Sequence, residues 1–147
     1  MIFTSRYSNK ELKNSKYMAV RISVGTPKWN LGYQILGEIK ELMPFGMMNE
    51  HNHDVFKEKY YQRLDGFGVE RIRERIENLK KIADELGKDI VLLCYEDVRK
   101  ENVWCHRLVF AEWWRERTGE VINELADYSM FSEPKEKKNK IEETSLF

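Results

Sequence analysis

Residues 89–96 read DIVLLCYE, and this stretch decides the fold that the sequence predicts. Its run of apolar side chains is typical of a strand buried on both faces, as strands of parallel sheets are. An amphipathic helix precedes it, with apolar residues at helical spacing from Val69 to Leu86 and Gly87 as a stop signal. A second predicted helix, Cys105–Thr118, follows it. Helix, strand and helix in this order predict an α/β fold with a mostly parallel sheet.

Further elements follow from the same patterns on both sides of this unit. Tyr17–Val24 is rich in β-branched and aromatic residues and ends at Gly-Thr-Pro, which predicts a strand. The other predicted elements are a strand at Met1–Ser5, helices at Leu36–Leu42 and Asp54–Leu64, and a strand or helical continuation at Val121–Leu125. We therefore expect one domain over residues 1–131 and a charged flexible tail over residues 132–147.

The composition limits the classes of protein. A chain of 147 residues with 41% hydrophobic residues is one domain in length and can form a globular core. The 25 basic and 25 acidic residues cancel, so any attraction for an anion has to come from a local cluster. The sequence shows no signal-peptide pattern, no apolar run of membrane-spanning length and only two cysteines. These features predict a cytoplasmic protein with reduced thiols and no membrane contact.

The junction between the strand 89–96 and the helix 105–118 concentrates reactive side chains. Cys94 and Glu96 alternate onto one face of the strand, and Cys105, His106 and Arg107 open the helix. In parallel sheets, ligands bind beyond the carboxyl ends of the strands, where this junction lies. A helix N-terminus favours anions and thiolates, and a histidine serves as acid or base near neutral pH. We therefore expect a functional site here, with Cys94, Glu96, Cys105 and His106 as candidate catalytic residues.

Each of these residues also has a structural interpretation. Cys94 fits a small core residue at the end of a buried strand. Glu96 and Arg107 could form an ion pair across the junction, and His106 could cap the helix or lie at the surface. The nearby tryptophans favour packing over the stacking of a base. Function is predicted from the concentration of these residues and not from any one of them.

Zinc binding is the rival chemistry at this junction. Cys94, Cys105 and His106 would supply three ligands, and His51 or His53 a fourth. Against this, adjacent Cys105 and His106 seldom aim at one tetrahedral ion, and the sequence has no Cys-x2-Cys pair. The sequence therefore favours a site without metal, and a small zinc domain remains an alternative.

Two other predicted strand ends supply polar groups. TSRYSN (residues 4–9) offers Ser5 and Arg6, and RISVGTPKW (residues 21–29) offers Ser23 and Lys28. If these strands are parallel neighbours of 89–96, Arg6, Lys28 and Arg107 converge on one anionic ligand. Otherwise the basic residues of the two loops are solvated charges. P-loop, GxGxxG, GxSxG and HExxH motifs are absent from the sequence, which argues against the chemistries that depend on them.

The pattern at the junction resembles a known family. A strand ending Leu-Leu-Cys-x-Glu, a polar loop and then Cys-His-Arg opening a helix is similar to the family called domain of unknown function 488. The matching residues are Leu92, Leu93, Cys94, Glu96, Cys105, His106 and Arg107. The similarity extends less specifically to TSRYSN, VRISVGTPKW and Pro44, over most of residues 2–125. It implies a Rossmann-like three-layer α/β sandwich and a role around nucleotides or nucleic acids, without implying an activity.

Two functions from different classes fit these observations. The first is an enzyme acting on a phosphate-bearing ligand, such as a nucleotide or nucleic-acid component, with a junction cysteine as nucleophile, the histidine as acid or base and the basic residues as anion ligands. The second is a non-catalytic module that binds a nucleotide or single-stranded nucleic acid, with Trp29, Tyr95 and Trp104 stacking on bases. Neither the cofactor nor the oligomeric state is identified by the sequence.

Overall fold

The computed structural model describes residues 1–130 as a five-stranded parallel sheet with three α-helices. The elements are β1 (Ile2–Arg6), β2 (Tyr17–Arg21), β3 (Ile35–Glu38), α1 (His53–Phe67), α2 (Val69–Leu86), β4 (Asp89–Cys94), α3 (His106–Thr118) and β5 (Asn123–Glu124). Two 3-10 helices lie at Lys10–Lys13 and Lys40–Leu42. The strand order is β3-β2-β4-β1-β5, and all neighbouring strands are parallel. The predicted α/β sandwich is confirmed, and the predicted tail 132–147 lies outside the described residues.

Strand β4 lies at the centre of the sheet and is buried on both faces, which explains its apolar run. Ile90 and Leu92 pack into one cluster, together with residues of all three α-helices. Val91 and Leu93 point to the opposite face and pack into a second cluster. Because side chains alternate along a strand, a continuous apolar run is required when both faces are covered.

The second face of the sheet is covered by a thin layer. It is formed by the 3-10 helix Lys10–Lys13, through Leu12, and by the loop before β3, through Leu31 and Tyr33. The β1–β2 connection therefore lies on this face, while the β3–β4 and β4–β5 connections place the α-helices on the other. We refer to the two faces as the helix face and the loop face.

The structure corrects one predicted element and resolves another. The predicted helix Leu36–Leu42 is wrong: this segment contains the end of strand β3 and the 3-10 helix Lys40–Leu42. Exposure alternates along β3, which is a strand pattern, and Gly37 lets Leu79 of α2 pack closely, since a Cβ there would lie 2.9 Å from Leu79 Cδ2. The ambiguous segment Val121–Leu125 contains β5, a strand.

Among residues 1–130, no helix is both long and apolar enough to cross a lipid bilayer.

Candidate functional site

The carboxyl ends of three neighbouring strands meet beside the predicted site. In the parallel register, Arg6 of β1 lies opposite Cys94 of β4, and Arg21 of β2 lies opposite Leu93. Beyond the strands, the Tyr7 amide donates to the Cys94 carbonyl and the Ile22 amide to the Leu93 carbonyl. The expected parallel neighbourhood of these strand ends is therefore confirmed.

The structure joins Cys94 and Cys105 in a disulfide, with their Cα atoms 7.2 Å apart. The expectation of two reduced thiols is therefore wrong for this state of the protein. The physical reason is the path of the chain: β4 ends at Cys94 on the helix face, and the loop 95–104 brings the start of α3 back to that strand end. Both residues are fully buried. While the disulfide is intact, neither sulfur is a nucleophile.

Arg107 is fully buried beside the disulfide, and its hydrogen bonds are specific. Its Nε and Nη2 donate to Glu124 Oε1 and Oε2 at 3.0 and 2.7 Å, which is a bidentate ion pair. Its Nη1 donates to Cys94 Sγ at 3.1 Å. Thr4 Oγ1 of β1 donates to Glu124 Oε1 at 2.7 Å and so holds the carboxylate in place. The predicted ion pair between Glu96 and Arg107 is not found among the described residues, because Arg107 pairs with Glu124 instead.

His106 is fully buried and lies neither at the surface nor at a capping position. Its Nε2 donates to the Ile22 carbonyl at 2.7 Å, because a carbonyl only accepts. In the neutral ring, Nδ1 is then an acceptor, and it lies 3.7 Å from Cys105 Sγ. Burial lowers the pKa of His106 to about 4, with a smaller effect of the Arg107 charge in the same direction and an opposing one of the Ile22 hydrogen bond. The imidazole is therefore neutral at physiological pH.

Glu96 follows Cys94 and is only partly exposed. Burial raises the pKa of its carboxyl group to about 7, although the charges of Arg107 and Lys100 act in the opposite direction. At neutral pH the carboxyl is therefore about half protonated. Such a group can give or take a proton without a large free-energy cost.

The sulfur and nitrogen atoms at this junction form a compact group. Potential ligand atoms of Cys94, Cys105 and His106 all lie within 4.8 Å of one another and are buried. The adjacent Cys105 and His106 do turn toward each other, with Cys105 Sγ 3.7 Å from His106 Nδ1. His53, suggested as a fourth ligand, is exposed and lies with its ring 5.0 Å from that of Trp104. His51 is also exposed and is outside the group.

The four other predicted ligand-binding residues do not converge on one point. Arg6 forms ion pairs with Asp127 at 2.7 Å and with Asp97 at 3.7 Å, so its charge is already balanced. Ser5 accepts a hydrogen bond from Asn9 on the loop face. The correction follows from the alternation of side chains, which directs Ser5 away from Cys94.

Ser23 and Lys28 are likewise placed apart from the disulfide. The hydroxyl of Ser23 lies 2.6 Å from that of Tyr7, whose ring belongs to the loop-face cluster. Lys28 is exposed in the loop that follows β2. The predicted convergence of Arg6, Lys28 and Arg107 on one anion is therefore not seen, because two of the guanidinium groups are paired and the lysine side chain is solvated.

The rings suggested for base stacking are engaged in packing. Trp29 and Tyr95 lie 6.0 Å apart between ring centroids, and Tyr95 also packs on Tyr7. Trp104 packs against Phe56 of α1 at 5.0 Å. The packing predicted for Trp104 is therefore confirmed, whereas Trp29 keeps 40% of its surface exposed.

Three carboxylates of the site escaped the sequence analysis. Glu124 holds Arg107, while Asp97 and Asp127 hold Arg6 and Arg99. Burial alone would raise the pKa of Asp97, but hydrogen bonds from Arg99 and the charges of Arg6 and Arg99 lower it to about 2. The one available signal was the placement of Glu124 between the apolar residues Ile122 and Leu125. That placement is typical of an acid partly withdrawn from water, and it does not indicate the partner.

Comparison of the chain with protein-family models, with curated proteins and with solved structures found no match.

Proposed function

We propose that this protein is a thiol-dependent enzyme that acts on a phosphate-bearing ligand, with Cys94 as the nucleophile. In this proposal the Cys94–Cys105 disulfide is the oxidised, inactive form of the enzyme. The observation that carries it is the hydrogen bond from the buried Nη1 of Arg107 to Cys94 Sγ, 3.1 Å long.

This hydrogen bond stabilises a thiolate more strongly than it stabilises a disulfide. A disulfide sulfur is a weak acceptor, whereas a thiolate is negatively charged and gains a charge-assisted bond from a guanidinium. Glu124 accepts from Nε and Nη2 of the same guanidinium, so Arg107 is fixed with its third nitrogen, Nη1, aimed at Cys94. Nucleophilic cysteines have cationic partners of this kind, whereas cysteines that only pack do not need them.

Reduction would both generate the nucleophile and open the site. Two electrons and two protons convert the disulfide into two thiols, and Cys94 then loses its proton beside Arg107. The disulfide also ties the start of α3 to the end of β4, so the loop 95–104 is held at both ends beside the fully buried cysteines. Breaking it frees this loop to admit a ligand. A cytosol would supply the reductant, because its thiol pools keep cysteines reduced.

The protonation states of the groups in the site suit a substitution at phosphorus. The Cys94 thiolate would form an S–P bond as the P–O bond of the leaving group breaks, and the leaving oxygen would take a proton from Glu96. With a pKa of about 7, the carboxyl is a suitable donor at neutral pH. Water would then hydrolyse the S–P bond and restore both groups. His106 Nδ1 would accept the S–H of Cys105 and hold that thiol away from Cys94.

The substrate class rests on the sequence. The resemblance to the domain of unknown function 488 family supports a nucleotide or nucleic-acid component. Neutral overall charge favours a small ligand over a long duplex, since binding to duplexes is dominated by phosphate contacts.

The test compares reduced and oxidised protein in turnover of a nucleotide panel, with release of inorganic phosphate as the readout. We expect turnover only after reduction, and loss of at least a thousandfold in Cys94→Ser. Cys105→Ser is the matched control, because it removes a sulfur of the same pair but leaves Cys94. It should retain activity without needing a reductant. If Cys94→Ser turns over as fast as the wild type, the thiol has no part in the reaction and the proposal fails.

A second candidate is a zinc site formed by Cys94, Cys105 and His106 after reduction. It is favoured by the close approach of their three ligand atoms within a buried group. Protein purified under reducing conditions would then hold equimolar zinc, and Cys94→Ser would lose it. A zinc content far below equimolar in the reduced wild type would exclude this candidate.

A further inference from the structure

A pocket of about 390 Å³ opens at the carboxyl end of β3, away from the disulfide. Three elements contribute basic side chains to it: Lys40 from the second 3-10 helix, Arg63 from α1, and Arg71 and Arg75 from α2. We call this site, defined by these four residues, the cationic pocket. Its volume lies in the range of about 300–1,000 Å³ that is usual for small-molecule sites.

A buried carboxylate orients two of the arginines. Glu41 is 5% exposed, and its Oε2 accepts from Nε of Arg71 at 2.9 Å and from Nε of Arg75 at 3.0 Å. Burial alone would raise the pKa of Glu41, but its backbone hydrogen bond and those from the two arginines lower it, so the group is charged. Within residues 1–130, the Nη groups of both arginines make no hydrogen bond. Both guanidinium groups are thus held in place through Nε, and their Nη groups can donate to a ligand.

The pocket carries more positive than negative charge. Its four cations are accompanied by two carboxylates, those of Glu41 and Glu38. Glu38 is shared with a cation outside the pocket, since Arg21 Nη2 lies 3.3 Å from its Oε1. In a chain with no net charge, this is a local cluster of the kind that anion binding requires.

Most N–H groups of Arg63 have no hydrogen-bond partner within the described residues. Of its five N–H groups, one is hydrogen-bonded within the described residues, from Nη2 to the Lys40 carbonyl at 3.0 Å. Its Nε is buried and has no partner there. The guanidinium lies 4.9 Å from the ring centroid of Phe67 and 5.4 Å from that of Phe45, so the rings hold the group from its faces. Buried donors without partners are rare in folded proteins, and Arg63 lines the pocket with most of its donors unpaired within residues 1–130.

We propose that the cationic pocket binds a small phosphate-bearing molecule. Three guanidinium groups that converge from two helices suit a group with several anionic oxygens, because each planar fork matches two of them. Phe45 forms one wall with 47% of its surface exposed, and so offers an apolar contact to a base or sugar carried by the phosphate. This inference concerns a separate site and does not depend on the reaction proposed for Cys94.

The test is calorimetric titration of the full chain at low salt with adenosine monophosphate, inorganic pyrophosphate and adenosine. We expect the two phosphate compounds to bind and adenosine not to bind. Tighter binding of adenosine monophosphate would identify a nucleotide as the source of the phosphate, and tighter binding of pyrophosphate an oligophosphate. Absence of binding by both phosphate compounds would overturn the proposal.

Variants locate the binding. Arg63→Gln should weaken the binding of adenosine monophosphate at least tenfold, and Lys40→Gln, at an exposed position, should weaken it without any risk to folding. Arg115→Gln on α3 removes the same charge from an exposed position outside the pocket and should leave binding unchanged. Equal effects of Arg63→Gln and Arg115→Gln would show attraction to overall charge and refute the pocket.

Discussion

Replacing Glu96 with glutamine should change how the stability of the protein depends on pH. Burial raises the pKa of Glu96 from 4.5 to about 7, so the folded state keeps a proton that the unfolded state has lost. The resulting stabilisation is fully present below about pH 4.5, and it is lost as the pH rises through 7.

His106 contributes with the opposite sign. Burial lowers its pKa from 6.5 to about 4, so the unfolded state takes up a proton first as the pH falls. The stability that depends on its neutral form is full above about pH 6.5 and is lost as the pH falls through 4. A difference of about 2.5 in pKa corresponds to roughly 3 kcal/mol over the whole range, of which about 2 kcal/mol is lost by pH 5.

These two effects offset each other in the wild type. The contribution of Glu96 has to be discounted because the side chain is partly exposed, to roughly 1–2 kcal/mol. We expect the wild-type free energy of unfolding to be nearly level between pH 5 and 7.5. In Glu96→Gln only the histidine effect remains, so the free energy of unfolding should fall by about 2 kcal/mol as the pH is lowered from 7.5 to 5.

Urea unfolding followed by tryptophan fluorescence at several pH values measures this difference, with the disulfide kept oxidised. Glu101→Gln is the matched control, because Glu101 is an exposed glutamate of the same loop and should behave as the wild type does. Carboxyl groups with lowered pKa values, such as Asp97, titrate below this interval and do not obscure it. Parallel pH profiles for Glu96→Gln and the wild type would refute the assignment of a raised pKa to Glu96.

Three further predictions concern stability and are checked by the same unfolding measurements. Glu124→Gln leaves the buried Arg107 without its counter-ion and should cost about 2–4 kcal/mol, below the full value for a buried pair because the Glu124 side chain is 30% exposed. The control Glu112→Gln, in a surface pair, should cost less than about 1 kcal/mol, and equal costs would contradict the special position of Arg107. Reducing the disulfide, which spans a sequence separation of 11, should lower the free energy of unfolding by roughly 3 kcal/mol, and an unchanged urea midpoint would show that the covalent link adds nothing. Gly87→Ala should lower the free energy of unfolding by about 1 kcal/mol, because Gly87 ends α2 in the left-handed conformation with φ +67°. The control Gly66→Ala, within α1, should be neutral or stabilising. The reverse order would count against a left-handed residue at the end of α2.

Those parts of the fold that bury a regular pattern were predicted accurately. The helix from Val69 to Leu86 has the predicted bounds, since one apolar face packs on the sheet and a glycine ends it. Strand β4 was recognised because both of its faces are covered. Strand β3 was missed because it is a short edge strand whose apolar residues are interrupted by Gly37. Its extended conformation is held by pairing with β2, and its own sequence carries only a weak strand pattern.

The sequence predicted that the residues of the candidate site lie close together, but it did not predict their interactions. The concentration of cysteine, histidine and arginine at one strand end marked the place, because parallel strands bring their carboxyl ends together. The partners of these residues come from distant parts of the chain: Glu124 lies in a two-residue strand, and the Cys94–Cys105 link depends on the path of a ten-residue loop. No local pattern encodes such pairings, since they exist only once the sheet and α3 have assembled.

The strand order has a consequence for the synthesis of this protein. In the sheet, β1 pairs with β4 and β5, and β2 pairs with β3 and β4, so β4 is the common partner that joins the two halves. Strand β1 therefore leaves the ribosome before its partners and stays unpaired until residues 89–94 have also emerged. Among the strands described, only β2 and β3 can pair before then. Because closing such distant parallel contacts is slow, the nascent chain exposes β1 until β4 has been synthesised and has paired with it, and this is the interval in which a chaperone would have the most to protect.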